Sequence, residues 1–324
     1  MSETARAFWV AEPGRGEIRG EALGTLSDGD VLVHALYSGI SRGTEALVFG
    51  GRVPPSEWAR MRAPFQAGEF PAPVKYGYSI VGRVAHGPAD LTGRTVFVLH
   101  PHQTRFIVPA EAAYVLPDGV PPARAVLAAN LETALNGVWD ARPHVGDRIA
   151  VIGAGTVGCL AAWLASRIAG CEVELVDVNA RRATVAGALG VRFAEPAAAT
   201  RDADVVIHAS GAPAGLELAL EVAGDEATVV ELSWFGDQPV PVSLGRAFHA
   251  RRLTIASSQV GRVAPAQRSR WDSRRRMQLA LTLLDDPALD ALITGEDEFE
   301  TLPNVMAALT RSPGDALCHR IRYS

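Results

Sequence analysis

Cysteine is scarce in this chain of 324 residues: it has three, Cys159, Cys171 and Cys318. They are odd in number, far apart and form no C-x-x-C pair. That excludes a disulfide framework and a cysteine-built zinc lobe, and it fits a reducing cytoplasm. Positive charge is not in surplus either. Lys and Arg total 31 against 36 Asp and Glu, a formal net charge of −5, so the basic footprint of a general nucleic-acid binder is missing. The start of the chain, Met1 to Val10, carries Glu3 and soon turns strand-like. It has neither the basic opening nor the apolar stretch of a secretory signal. One uncharged run, Ile149 to Ser166, approaches the length of a membrane span. It holds Gly153, Gly155 and Gly158 near its start, so it reads as a buried strand, a turn and a buried helix, and no membrane role is expected.

What is present suits a globular protein with a large core. Hydrophobic residues make up 48% and charged residues 21%, ordinary values. The length exceeds the roughly 250–300 residues at which single cores stop growing, so two domains are expected.

The first part of the chain, to about residue 118, is rich in short β-branched or aromatic runs between Gly, Pro and Asp. Examples are Val31–Tyr37, Ser79–Ala85, Thr95–Leu99 and Thr104–Val108. Many short strands with turn signals suggest a barrel or sandwich. Within it, Arg52–Lys75 carries Pro54, Pro55, Pro64, Pro71 and Pro73 with Trp58, Phe65 and Phe70, and reads as a long loop with a short helix. Pro121–Val138 reads as one helix. From Asp147 strands and helices alternate. Strands are expected at Arg148–Ile152, Glu172–Val176, Asp204–His208, Ala227–Leu232 and Leu253–Ala256. Helices are expected from the glycine turn to about Ala169, at Arg181–Leu189 and at Ala214–Val222. That alternation implies a parallel, doubly wound sheet. A helix at Trp271–Leu284, a short strand, another helix and a strand-like end, Cys318–Tyr323, complete the chain.

The sharpest motif is Gly153-Ala-Gly155-Thr156-Val157-Gly158. Alone, G-x-G-x-x-G is weak. Here it follows a strand and opens a helix in a βαβ unit, the context that dinucleotide binding requires. Gly153 permits the tight turn, Gly155 lets the backbone approach a pyrophosphate, and Gly158 lets the helix pack on the strand. The N–H groups and dipole of the helix start then face the phosphates. Asp177 ends the next strand about 20 residues on, where an acid takes the ribose hydroxyls. It favours NAD over NADP, with Asn179 and Arg182 beside it, although Arg181 and Arg182 could instead hold a 2′-phosphate and keep NADP open. An S-adenosylmethionine-dependent methyltransferase also pairs a glycine turn with an acid, but would not need the strand-rich first domain.

The order of parts resembles the medium-chain dehydrogenase/reductase superfamily over essentially the whole chain. The likeness is carried by Ser38-Gly-Ile-Ser-Arg-Gly-Thr-Glu45, Tyr76-Gly-Tyr-Ser-Ile-Val-Gly82, Gly93-Arg-Thr-Val-Phe97, the glycine loop with Asp177, and His208-Ala-Ser-Gly-Ala-Pro213. The first of these is most similar to a zinc-lacking branch that includes the bacteriochlorophyllide dehydrogenases. The resemblance implies an α/β protein: a GroES-like, partly open β-barrel catalytic domain over 1–120 and 285–324, and a Rossmann doubly wound parallel sheet over 121–284. It also implies a homodimer.

Where zinc-dependent relatives carry a metal-binding Cys, this chain has Ser41; their histidine ligand matches Tyr78; the third ligand position falls near Glu132. A catalytic zinc needs about three His, Cys or carboxylate ligands, so no metal is expected. His100-Pro-His102 offers no third ligand and reads as a polar loop beside the barrel. Hydride transfer without zinc still needs the substrate oxygen to be stabilised or protonated. Tyr78 is the candidate donor, as a general acid if its pKa is lowered, with Ser41 or Thr44 assisting and Glu132 orienting it or acting as base. Alternatively Tyr78 and Glu132 only fill the space a metal would take. The resemblance places Arg42 on the cofactor pyrophosphate, Asn136 on the nicotinamide ring, and Ser210 and Gly211 at the crevice where doubly wound sheets bind ligands.

The run Arg268 to Arg276 reads as a solvated helix start or as a contact for an anionic group. With Trp58, Phe65 and Phe70 it points to a small-molecule substrate with an aromatic or anionic part. The reaction expected is hydride exchange between NAD(P) and an alcohol/carbonyl pair. The competing readings are a zinc-independent enone or quinone reductase and a nucleotide-binding protein without catalysis.

Overall fold

The computed structural model describes residues 4–312 and 314–324. The chain forms two compact units, one of residues 1–129 with 281–324 and one of residues 130–280.

The first unit is built on β-sheets. In one, the order is Arg15–Ala22, Thr4–Glu12, Val74–Lys75, Ala67–Gly68. In the other it is Ile293–Glu298, Cys318–Arg322, Asp30–Ile40, Ile80–His86, Thr95–Val98, Tyr114–Val115, with Arg105–Pro109 also pairing with Asp30–Ile40. The long strand Asp30–Ile40 is the hub, because the C-terminal strand returns to pair antiparallel with it (Ile321 opposite Ser38). Its residues Val31, Leu32, Val33, Ala35 and Ile40 are buried with Phe8, Phe97 and Phe106, so the strand is covered on both faces along part of its length. Arg15–Ala22 is a strand that its sequence hides: Arg15, Glu17, Arg19 and Glu21 interrupt any apolar run. They line up in the ladder with Thr4–Glu12 and pair their charges there, Arg19 with Glu17 for instance.

The helix expected over Pro121–Val138 is two pieces, Pro122–Ala125 and Ala128–Ala141. The break has a cause: the Val126 carbonyl accepts the Ser79 hydroxyl at 2.5 Å instead of continuing a helical ladder. The first piece is also tied down by Arg124, whose guanidinium donates to both Asp290 oxygens at 2.7 Å and to the Leu284 and Asp285 carbonyls. These contacts keep residues 121–129 in the first unit, so the division falls at 129/130 and 280/281 where the sequence suggested 120/121 and 284/285.

The second unit is a parallel sheet in the order Arg192–Ala194, Glu172–Val176, Arg148–Ile152, Ala203–His208, Ala223–Glu231, Thr254–Ser257. Strand order reverses beside Arg148–Ile152, which creates the crevice at the carboxyl ends where such sheets take ligands. The strands are buried on both faces. Ala150, Ile152, Val206 and Val229 pack with Leu216, Ala219 and Leu220 of the helix Pro213–Val222, which is why they read as continuous apolar runs. Among the described residues no helix is long and apolar enough to cross a membrane.

Candidate active site

In the second unit the glycine turn joins Arg148–Ile152 to the helix Thr156–Ala165, with Gly155 at its N-cap. Two glycines are sterically compelled. Gly153 has φ +107°, and a Cβ there would meet the Ser210 backbone at 2.5 Å. A Cβ on Gly158 would strike the Gly153 carbonyl well inside van der Waals contact. Gly155 differs: nothing lies within 4 Å of its Cβ position. Its smallness serves no protein contact and leaves open space at the helix start. Thr156 and Val157 form the first turn of that helix.

The Asp177 carboxylate accepts the Ala154 N–H at 2.6 Å and the Asn179 N–H at 2.8 Å. These bonds aim it at the glycine turn and still leave lone pairs for hydroxyl donors. Asn179 in turn accepts the Arg181 N–H at 3.1 Å. Arg182 is buried, while Arg181 is exposed. On the other side of the turn, Ser210 and Gly211 follow the strand Ala203–His208 and are exposed.

Asn136 and Glu132 lie on the helix Ala128–Ala141 and have partners that sequence did not foresee. Arg276, buried, donates to Glu132 Oε1 at 3.0 Å, to Asn136 Oδ1 at 2.5 Å and to the Val260 carbonyl at 2.5 Å. The Asn136 carbonyl also accepts the Ala264 N–H, and its amide donates to Asp140 and Ser258. Asn136, expected on the nicotinamide ring, is therefore engaged at both ends within its own unit. Glu132, expected as orienter or base, is ion-paired; burial raises its pKa and the Arg276 charge opposes that rise. The rest of the arginine run is exposed. Arg268, with Arg142, His144 and Arg262, lines an open cavity of about 770 Å³. Asp140, Asp147, Asp204 and Glu226 line it too, so it shows no preference for anions.

In the first unit, Ser41 precedes the helix Arg42–Phe49. Ser41 is buried, and Arg42 and Thr44 are half-buried. The Tyr78 phenol hydrogen-bonds with the Ser41 and Thr44 side chains. Burial, and then the charge of Glu45, push it up to about 12. The direction is opposite to that required of an easy general acid, so Tyr78 stays protonated and is a standing hydrogen-bond donor.

Beneath it lies a buried chain of polar groups. Glu45 accepts the Ser41 N–H at 2.8 Å and meets His102 Nε2 at 2.8 Å; His102 Nδ1 meets Ser38 Oγ at 2.7 Å; Ser38 Oγ meets Tyr323 Oη at 2.9 Å. Gly77, at φ +131°, brings its backbone against the His102 ring, where a Cβ would sit 2.9 Å from Cδ2. His100 and His102 lie in the loop between Thr95–Val98 and Arg105–Pro109, and both are buried. His100 stacks on Phe106 at 4.0 Å between centroids, and burial drives it down to about 3. Glu45 had a visible signal, an acid directly ahead of the apolar run Ala46–Phe49. For Ser38, His102, Arg276, His208 and Glu231 the sequence did not show the partner, since each partner is distant along the chain. Among the described residues no three His, Cys, Asp or Glu side chains come together as a metal site.

No protein-family model matches the chain. It is similar to D-guloside 3-dehydrogenase of Escherichia coli K12, at 25% identity over 314 residues, covering 88% of this chain and 87% of the relative. It is 30% identical over 237 residues to 2-desacetyl-2-hydroxyethyl bacteriochlorophyllide A dehydrogenase of Rhodobacter capsulatus, covering 66% and 68%. A crystal structure from Sinorhizobium meliloti 1021, of a dehydrogenase assigned as zinc-binding and bound to NADP, superposes with a TM-score of 0.77 over 99% of both chains at 18% identity.

Proposed function

We propose, from the premise that this chain belongs to the medium-chain dehydrogenase/reductase superfamily and is an NAD(P)-dependent oxidoreductase, that it exchanges hydride between NAD and an alcohol/carbonyl substrate without a catalytic zinc. The observation that carries this is the donor set. At the three positions where relatives hold the metal stand Ser41 and Tyr78, hydroxyls bonded to each other, and Glu132, bound to Arg276. Zinc takes thiolate, imidazole and carboxylate. A phenol pushed to about 12 resists the deprotonation that ligation needs, and the one carboxylate already has a cation. These residues do not fit zinc.

They fit a different task. Tyr78 Oη donates to the substrate oxygen and stabilises the negative charge that gathers there, while Ser41 and Thr44 hold the phenol in place. Glu45 and His102 fix the helix start that carries Ser41. The glycine turn and Asp177 hold the dinucleotide, whose nicotinamide supplies the hydride chemistry. A fixed carboxylate at Asp177 repels a 2′-phosphate and favours NAD. The cavity lined by Arg268 gives no support for an anionic substrate; a small alcohol or carbonyl is the class we assign. The free thiols Cys159, Cys171 and Cys318 suit a cytoplasmic enzyme, and the edge strand Thr254–Ser257 suits a homodimer.

The test is direct. Purified protein should carry no stoichiometric zinc by metal analysis, bind NADH more tightly than NADPH by nicotinamide fluorescence, and lose about 100-fold in kcat on Tyr78→Phe with cofactor affinity kept. One tightly bound zinc per chain, or an unaltered Tyr78→Phe turnover, overturns the reading.

A further inference from the structure

The unit that carries Tyr78 holds two buried polar side chains with a hydrogen-bonding atom unmet. One follows Phe65 in the chain and the other packs on its ring. Gln66 is 9% exposed. Its Oε1 accepts the Ala63 N–H at 3.1 Å, and a backbone N–H only donates, so the orientation of the amide is fixed. The other end, Nε2, is closed off from solvent and has no partner among the described residues. A buried donor left in that state is destabilising and calls for an explanation.

His100 is 5% exposed. Its Nδ1 lies 2.8 Å from the Pro101 carbonyl. A carbonyl only accepts, so the ring proton sits on Nδ1. Burial drives the ring down to about 3, so it takes no second proton near neutral pH. Nε2 is left with a lone pair, and no described residue donates to it.

Chemistry narrows what answers both. Gln66 needs an acceptor and His100 needs a donor. A hydroxyl is the smallest group that is both at once; a ketone or ether only accepts, and an ammonium only donates. The neighbouring cations are already engaged. Lys75 donates to Glu21 at 2.7 Å and to Gln103 at 2.9 Å, and Arg62 to Glu69 at 2.9 Å, so none is spare for a carboxylate. Phe65, 40% exposed, sets its ring 5.5 Å from that of His100 and offers an apolar face to a carbon chain. It holds φ +56°, strained for a bulky residue. Phe65 is therefore the part of this wall that yields most readily to admit a ligand to Gln66.

Position ties the pair to the reacting end. Gln66 leads into Ala67–Gly68, which pairs with Val74–Lys75. That strand runs on through Tyr76 to Tyr78, whose rings meet edge to face at 6.0 Å. His100 stands two residues from His102, on whose ring the Gly77 backbone rests.

We propose that Gln66 and His100 recognise a second hydroxyl of the substrate, apart from the oxygen served by Tyr78: Gln66 donates to it, and it donates to His100 Nε2. The substrate class is then a diol or a hydroxycarbonyl compound rather than a simple alcohol. This rests on the alcohol/carbonyl reading, with Tyr78 at the reacting oxygen.

The test compares kcat/KM for NAD-linked oxidation of 1-butanol with that of the 1,2-, 1,3- and 1,4-butanediols, which differ only in a second hydroxyl and its place. Wild type should prefer one diol over 1-butanol by roughly 5- to 150-fold, the range for meeting an otherwise unpaired buried group. Gln66→Leu and His100→Phe should each collapse that ratio to within about 2-fold of unity. If Gln66→Leu does not fold, His100→Phe, shaped for the stack on Phe106, decides. The Gln66 side-chain amide signals in ¹H–¹⁵N spectra should move with the preferred diol and not with 1-butanol, whether or not turnover follows. Wild type without a diol preference and without that movement is the result expected if only a water molecule sits between the two side chains, and it overturns the inference. A ratio retained in either variant overturns it too. Failure of wild type to bind NADH or NADPH would instead sink the reading on which it rests.

Discussion

Replacing Arg276 by methionine separates the worth of the buried Arg276–Glu132 pair from the penalty of leaving one charge alone. The two side chains are 3% and 7% exposed. Burial raises the Glu132 pKa even with Arg276 present, so desolvation outweighs the pairing, as it often does for buried ions. Arg276→Met leaves that carboxylate buried and uncompensated, a loss of about 3–5 kcal/mol. The Val260 carbonyl also loses its Arg276 donor, at about 1 kcal/mol. Adding Glu132→Met removes the stranded charge, so the double variant should lie within about 2 kcal/mol of wild type. The pH dependence has a definite sign. Below about 4.5 the carboxyl is protonated folded and unfolded alike, and Arg276→Met should cost least. The deficit grows only above the folded pKa of Glu132 in wild type, up to the still higher folded pKa it has once the Arg276 charge is gone, because below that both folded proteins keep the proton. Urea unfolding followed by tryptophan emission is weighted to the right unit, since Trp139, Trp163, Trp234 and Trp271 lie in it. A loss below about 1 kcal/mol, a deficit flat with pH, or a double variant no better than the single one would refute the reasoning.

Two glycines of the turn should respond in opposite ways. Gly158→Ala forces a methyl onto the Gly153 carbonyl and should cost about 1–3 kcal/mol in thermal or urea unfolding. Gly155→Ala meets nothing in the protein and should fold normally, yet weaken NADH, because its methyl enters the space that the cofactor needs. His100 makes the fold acid-sensitive: its folded pKa is about 3 against an ordinary 6.5. Stability is therefore full above 6.5 and lost as pH falls towards 3, at about 1.4 kcal/mol per pH unit. His100→Phe, suited to the stack on Phe106, should flatten that slope. Tyr78 at about 12 should give no limb in a pH–rate profile below about pH 11, and a titration near neutral pH that vanishes in Tyr78→Phe would contradict its role as a neutral donor.

Much of the second unit was legible because its signals are local. A strand followed by Gly153, Gly155 and Gly158 needs only neighbours along the chain to become a turn and a helix start, and alternating strands and helices force a parallel sheet. Local reading failed where partners are remote. Arg15–Ala22 is a strand only because Thr4–Glu12 pairs with it. Pro121–Val138 breaks because Ser79, far back in the chain, claims the Val126 carbonyl. The catalytic candidates divide in the same way.

By itself the sequence determined the architecture, the glycine turn and the acid beside it, and the residue types at the three zinc positions, because periodicity, backbone freedom and ligand chemistry belong to residues one at a time. Only the tertiary structure decided what those residues can do. Burial and Glu45 raised the Tyr78 pKa, Arg276 paired with Glu132, and sheet register set His208 on Glu231. Protonation and hydrogen-bond direction are properties of pairs, and folding chooses the pairs.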